Sequence, residues 1–254
     1  MPVFSQAITM ILLTNDDGFQ SEGLLALKNA VQFALPQETI VTVAPSSQQS
    51  QIGHQVTTET PIKVDQHHEN MFAVAGTPAD CVRVALFGLS IKPDLILSGI
   101  NHGGNLGHDI PISGTVAAVR EGAYHGIPGI AFSQYFKQEI PFNWIRSASR
   151  VELVLKQLVP DQDLKSPLSC YNVNLPSIDA KAEEPERHIT LPSMHPLPVA
   201  FEDISDSNHQ CGRLFRYTGA YSHRDFEPGS DVECCFGGNI SISKLEFLPA
   251  NLRH

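Results

Sequence analysis

Two adjacent carboxylates close the first apolar run of the chain, Leu12-Leu13-Thr14-Asn15-Asp16-Asp17-Gly18. Side-by-side aspartates repel one another unless a cation or a proton intervenes. Carboxylate, amide and hydroxyl oxygens suit hard ions of the magnesium, manganese and calcium class. For the dipeptide alone, a solvated Asp-Gly turn is the competing reading, since both residue types favour turns. Two further polar segments follow apolar runs: Ser46-Ser47-Gln48-Gln49-Ser50 after Ala44-Pro45, and Ser98-Gly99-Ile100-Asn101 continuing through Gly103, Gly104 and Gly107 to His108-Asp109. Shortly after, Ser113-Gly114-Thr115-Val116 opens a helix. The amides of a helix start, flanked by two hydroxyls, suit a phosphate, although capping by Ser113 alone would also explain the residue choice.

Several other chemistries lack their residues. There is no GxxxxGK[ST] loop, no GxGxxG after the first strand, no HExxH and no GxSxG. A DxD phosphatase motif is missing as well, because Gly18 lies two past Asp16 and Phe19 two past Asp17. His102 and His108, inside the glycine-rich loop, are either acid catalysts or merely polar loop residues.

The elements that must position these groups alternate in type. Apolar runs at residues 8–13, 39–44, 71–75, 94–97, 129–133 and 170–173 predict strands. Between them, Ser21 caps a helix whose Leu24, Leu27, Val31 and Leu35 share a face before Pro36. Thr77-Pro78-Ala79-Asp80 starts a second helix with a stripe of Val82, Ala85, Leu86 and Leu89. A third runs from Ser113 to about Tyr124, and Trp144, Ala148, Val151, Leu155 and Leu158 mark a fourth that Pro160 ends. Strands without clear alternation, separated by amphipathic helices, indicate an α/β fold with a mostly parallel, doubly wound, Rossmann-like sheet covered on both faces. From about residue 176 the texture becomes irregular, and residues 239–247 alternate like an exposed strand. The whole predicts one domain over 1–254, with a core over about 8–175 and an irregular, partly antiparallel C-terminal extension over about 176–254.

Composition narrows the partners. Lys and Arg number 17 against 27 Asp and Glu, a formal charge of -10 with no basic block. That argues against a nucleic-acid polymer or an anionic membrane as partner, while a small phosphorylated ligand needs only a local site. No apolar stretch reaches bilayer length, and the first residues lack the basic start and cleavage site of a secretion signal. Five cysteines without CxxC spacing fit reduced thiols, so a cytoplasmic setting is expected.

Further motifs come in a fixed order: the segment at 12–18, Ala44-Pro45 with Ser50, Gly76-Thr77-Pro78-Ala79-Asp80-Cys81-Val82, Ser98-Gly99-Ile100-Asn101, Asn105-Leu106-Gly107-His108-Asp109, and Ser113-Gly114-Thr115-Val116-Ala117-Ala118 with Glu121-Gly122. Together these resemble the SurE family, stationary-phase survival proteins that act as metal-dependent nucleotidases, over roughly residues 8 to 133. The resemblance implies hydrolysis of nucleoside monophosphates, commonly 5′ and sometimes 3′, with polyphosphate cleaved by some members. It implies a homodimer or homotetramer built through the C-terminal portion. By motif position it implies one divalent ion per subunit held by Asp16, Asp17, Ser50 and Asn101, with phosphate bound by Ser113, Gly114 and Thr115. Asp16 and Asp17 would also be the catalytic pair, acting through a metal-activated water. Two departures stand out. Ser46 and Ser47 compete with Ser50 as ligand, and Pro111-Ile112 precedes Ser113 where an aromatic is common.

Overall fold

In the computed structural model, which describes residues 8–161, 164, 168–179, 181–205 and 212–247, the first apolar run becomes β1 (Met10–Thr14). Its side chains alternate between the two faces of the sheet, as the period of two requires. Ile11 and Leu13 join a core with Leu24, Leu27, Val31, Val151 and Leu155, while Leu12 joins a second core with Val82, Val116 and Val119. Both faces of β1 are therefore covered, which is why the run carries no polar alternation.

The first core is closed by α1 (Glu22–Ala34), capped by Ser21, whose hydroxyl accepts from the Leu24 amide. Then come β2 (Thr39–Pro45), β3 (Val64–His68) and β4 (Met71–Val74). The helix α2 (Pro78–Arg83) begins on a capping box in which Thr77 and Asp80 satisfy each other's amides, and it continues as a π-helical turn to Gly88. β5 (Leu95–His102) leads to α3 (Gly114–Tyr124), β6 (Gly129–Gln134), α4 (Trp144–Leu158) and β7 (Cys170–Leu175). The remaining elements are β8 (Arg187–Thr190), β9 (Phe201–Asp203), β10 (Phe215–Tyr217), α5 (Asp231–Phe236) and β11 (Ile240–Leu245).

Nine strands form one sheet in the order β3-β4-β2-β1-β5-β6-β7-β11-β8. The six from β4 to β7 run parallel to their neighbours, whereas β3 pairs antiparallel with β4 and β11 antiparallel with β7. The expected mixed, Rossmann-like α/β architecture is the one observed. β1 pairs with β2 on one side and β5 on the other, so the winding reverses between β1 and β5. In open α/β sheets that crevice, at the carboxyl ends of the strands, is where ligands bind.

Two expectations need correction. The strand predicted at 94–97 runs on to His102, which places Asn101 on β5. The alternating segment near 240 is not exposed: β11 lies between β7 and β8, and its serines are buried because Thr190 bonds to both Ser241 and Ser243. Of the five cysteines, Cys234 and Cys235 stand on the short helix α5, and Cys211 lies outside the described residues. Among the described residues, no helix is long and apolar enough to cross a membrane.

Candidate active site

At the carboxyl end of β1 the chain turns sharply. Asn15 organises that turn, its Nδ2 donating to the Gly18 carbonyl and to Ser21 Oγ while its Oδ1 accepts from the Gly18 amide. Gly18 has φ +103°, and a Cβ there would press on Ser47 and Gln48 at 3.3 Å. A glycine is thus required where this turn meets the loop after β2.

The turn directs the two carboxylates differently. Asp16 is only 6% exposed, and its Oδ1 accepts from Thr115 Oγ1 at 2.7 Å. Its main-chain carbonyl accepts from the Gln49 amide at 2.7 Å, drawing the loop after β2 to the same place. Gly114, the first residue of α3, abuts it so closely that a Cβ would lie 3.1 Å from Asp16 Oδ2. Burial pushes the Asp16 carboxyl up to about 6; the Thr115 hydroxyl opposes the rise and the neighbouring charge of Asp17 adds to it. Asp17 is half-buried and its Oδ2 accepts from the backbone amide of His102 at 2.9 Å, joining the ends of β1 and β5.

Asn101 stands one residue before that amide, and its Nδ2 donates to the Gly103 carbonyl at 2.8 Å, so the amide oxygen remains for a different partner. Ser50 is exposed on the neighbouring loop, its hydroxyl accepting from Gln48 Nε2 at 2.9 Å, and Ser46 and Ser47 precede it there. Ser113 caps α3 by accepting from the Val116 amide. The structure therefore gathers Asp16, Asp17, Asn101, Gly114 and Thr115 at the crevice between β1 and β5, with Ser50 on its rim loop. The hydroxyl of Thr115 is spent on Asp16, its backbone amide also bears on that carboxylate, and the Val116 amide is capped by Ser113, which leaves the Gly114 amide at the start of α3 for an anion.

This donor set fits a hard divalent cation. A buried carboxylate beside a second one is destabilised by desolvation and repulsion, and a cation relieves both. Among the described residues no three His, Cys, Asp or Glu side chains converge as a metal cage. The oxygens at hand are two carboxylates with neutral amide and hydroxyl groups, the chemistry of magnesium, manganese or calcium.

Beneath the site lies a polar layer that the motifs revealed only in part. Asn105 is buried, and its Nδ2 donates to Ser133 Oγ at 2.8 Å and more weakly to Thr115 Oγ1 at 3.4 Å. Its carbonyl accepts from the side chains of both Asn172 and Asn174 on β7. The C-terminal extension grips the same loop. Arg224, fully buried, donates to Asp109 Oδ2 and to the Leu106 carbonyl, Tyr221 donates to Asp109 Oδ2, and Asp231 accepts from the amides of Gly107 and Ser193. Asn105, Gly107 and Asp109 belong to one of the ordered motifs; the further sequence signal is Asn172-Val173-Asn174, two amides at strand period inside an otherwise apolar segment. His108 is tied to the Met194 carbonyl, and His102 packs its ring on Phe142.

Comparison with known proteins agrees with this geometry. The family model described as Survival protein SurE matches residues 11–194. A protein of Nostoc sp. is 43% identical over 238 residues, which cover 92% of this chain and 98% of its own length. The 5′-nucleotidase SurE of Myxococcus xanthus is 38% identical over 247 residues, 93% of this chain and 87% of that one. The crystal structure of the SurE protein from Aquifex aeolicus superposes with a TM-score of 0.79 at 30% identity, covering 96% of both chains. The paired aspartates at the winding reversal, the fold around them and the matches along most of the chain make it a member of the SurE family.

Proposed function

We propose that the chain is a divalent-metal-dependent phosphomonoesterase that hydrolyses nucleoside monophosphates, as a 5′-nucleotidase, to nucleoside and phosphate. The observation that carries this reading is the buried Asp16 beside Asp17, packed against the first turn of α3. Asp16, Asp17, Asn101 and Ser50 would hold the ion. When bound, it supplies Lewis-acid charge to the phosphoryl group and acidifies a water for in-line attack.

The chain's own groups do the rest. The Gly114 amide, at the positive end of α3, stabilises negative charge building on the equatorial phosphoryl oxygens, with Ser113 and Thr115 flanking it. Thr115 holds the Asp16 carboxylate in place through its hydroxyl, and the His102 amide does the same for Asp17. One of the two aspartates accepts the proton from the attacking water. The names of the relatives from Myxococcus xanthus and Geotalea uraniireducens, both 5′-nucleotidase SurE, support the choice of substrate. A homodimer or homotetramer is proposed from the exposed apolar surface of the C-terminal extension. Cys81, Cys170, Cys234 and Cys235 are free thiols, which supports a reducing, cytoplasmic setting.

Asp17→Asn tests the metal mechanism. Turnover of adenosine 5′-monophosphate under saturating manganese or magnesium is expected to fall at least about a hundredfold, and chelator is expected to silence the wild type. Activity of the variant at the wild-type level, persisting in chelator, would sink it.

A further inference from the structure

We propose that His102, Phe136, Phe142 and Trp144 form a platform on which the base of a nucleoside monophosphate stacks while its phosphate sits at Asp16 and Asp17. This assignment rests on the nucleotidase reading above and adds to it the part of the site that recognises the nucleoside.

The cluster begins at the site itself. The backbone amide of His102 bonds Asp17 Oδ2 at 2.9 Å, so the His102 ring stands at the rim of the paired carboxylates. That ring stacks on Phe142 with centroids 4.1 Å apart and an interplanar angle of 20°. Phe142 in turn stacks on Phe136 at 5.3 Å and lies beside Trp144 at 5.0 Å. His102 also lies 5.6 Å from Phe136 and 6.4 Å from Trp144, so the four aromatic rings form one cluster beside Asp17. His102 and Phe136 are exposed, although neither ring is needed to close the core. Exposed aromatic rings beside a phosphate site match the flat apolar face of a nucleobase, and such stacking tolerates any base.

The surroundings supply polar groups next to this surface. A cavity of about 170 Å³ adjoins Phe142 and is walled by Asn143, Arg146, Arg150 and Ser177. Arg150 is 6% exposed and its Nη2 has no hydrogen-bond partner. A buried donor of this kind is costly unless a group with a free lone pair reaches it, and the ring nitrogens and carbonyls of a base, or the hydroxyls of its ribose, carry such lone pairs.

The test compares two phosphate esters that differ only in the base. Phe136→Ala and Phe142→Ala are assayed on adenosine 5′-monophosphate and on ribose 5-phosphate. The preference for the nucleotide, as a ratio of kcat/KM values, is expected to fall about tenfold, mainly through KM, and Phe136→Tyr should restore it. A ratio unchanged in both folded alanine variants overturns the platform. Trp144 is the only tryptophan of the chain, so adenosine binding also reads directly in the fluorescence of the wild-type protein, with ribose as control. A signal that saturates with adenosine and is lost in Phe142→Ala supports the platform; no response to adenosine overturns it, whatever the alanine variants do. Wild-type protein that hydrolyses neither ester removes the nucleotidase reading instead, and the fluorescence titration then still decides the platform.

Discussion

The Thr115 hydroxyl is fully buried and donates to a carboxylate that burial and Asp17 both make reluctant to ionise. That bond orients Asp16 and favours its charged form, the form that the proposed cation site calls for. Thr115→Val keeps the shape and removes the donor. The manganese concentration for half-maximal activity is expected to rise roughly 10- to 100-fold, and Thr115→Ser to recover most of the loss. An unchanged activation curve in Thr115→Val would show that Asp16 is held by something else. Residues of this site differ in how legible they are from the chain. Asp16, Asp17, Asn101 and Thr115 lie in short polar segments that interrupt apolar runs, and strand ends bring such segments together in any parallel sheet. Arg224 and Asp231 reach the loop at Gly107 and Asp109 from more than 110 residues away, through contacts that no local pattern encodes. Their side chains look like ordinary surface charges until the fold buries them.

At the scale of elements, Glu121 ties three parts of the second core together. It is on α3, and it accepts from His54 on the loop after β2 at 2.8 Å and from His125 at 3.1 Å, and pairs with Arg83 of α2 at 3.3 Å. Burial alone would raise its carboxyl, but the bonds from His54 and His125 and the charges of His54 and Arg83 outweigh that, holding it below its ordinary value of 4.5. A carboxyl with a depressed folded value binds protons less readily than in the unfolded chain. Its stabilisation is therefore complete above pH 4.5 and is lost as the pH falls through the lower folded value. Glu121→Gln should cost about 1–3 kcal/mol near neutral pH, seen as a lower urea midpoint, with the gap to wild type closing as the pH falls below 4.5 through the depressed folded value. A gap that stays constant across that range would remove the ion pairs as its cause. The helices around this hub were readable because Ser21, Thr77 and Ser113 each cap where their residue type predicts. β11 was misread because its alternating serines resemble a solvent face, and only hydrogen bonds from Thr190 make them suitable for burial. β3 stayed hidden because its side chains past Val64 are polar and exposed, and edge position rather than pattern makes it a strand.

Across the whole molecule, the C-terminal extension does two unlike things. Its inner part completes the sheet through β8 and β11 and clamps the loop near the carboxylates. Its outer part, β9 and β10, pairs only with itself, and all six residues of the two strands are exposed. An isolated two-stranded ribbon is marginal in water, because it has no face on which to bury its side chains. This ribbon nevertheless carries Phe201, Phe215 and Tyr217, and the chain leading to it carries Leu191 and Met194, which are 77% and 76% exposed. Apolar surface of that extent on a chain with a net charge of -10 is what an interface between subunits requires, since a second copy would both cover the rings and add strands beside them. The wild-type protein is accordingly expected to sediment as a dimer or tetramer. Phe201→Asp combined with Phe215→Asp places charge on that surface without touching the carboxylates, and should shift the sedimenting species toward monomer while each subunit keeps its far-ultraviolet circular dichroism. A wild-type monomer at micromolar concentration, or a double variant that assembles as wild type does, would assign the ribbon a different role.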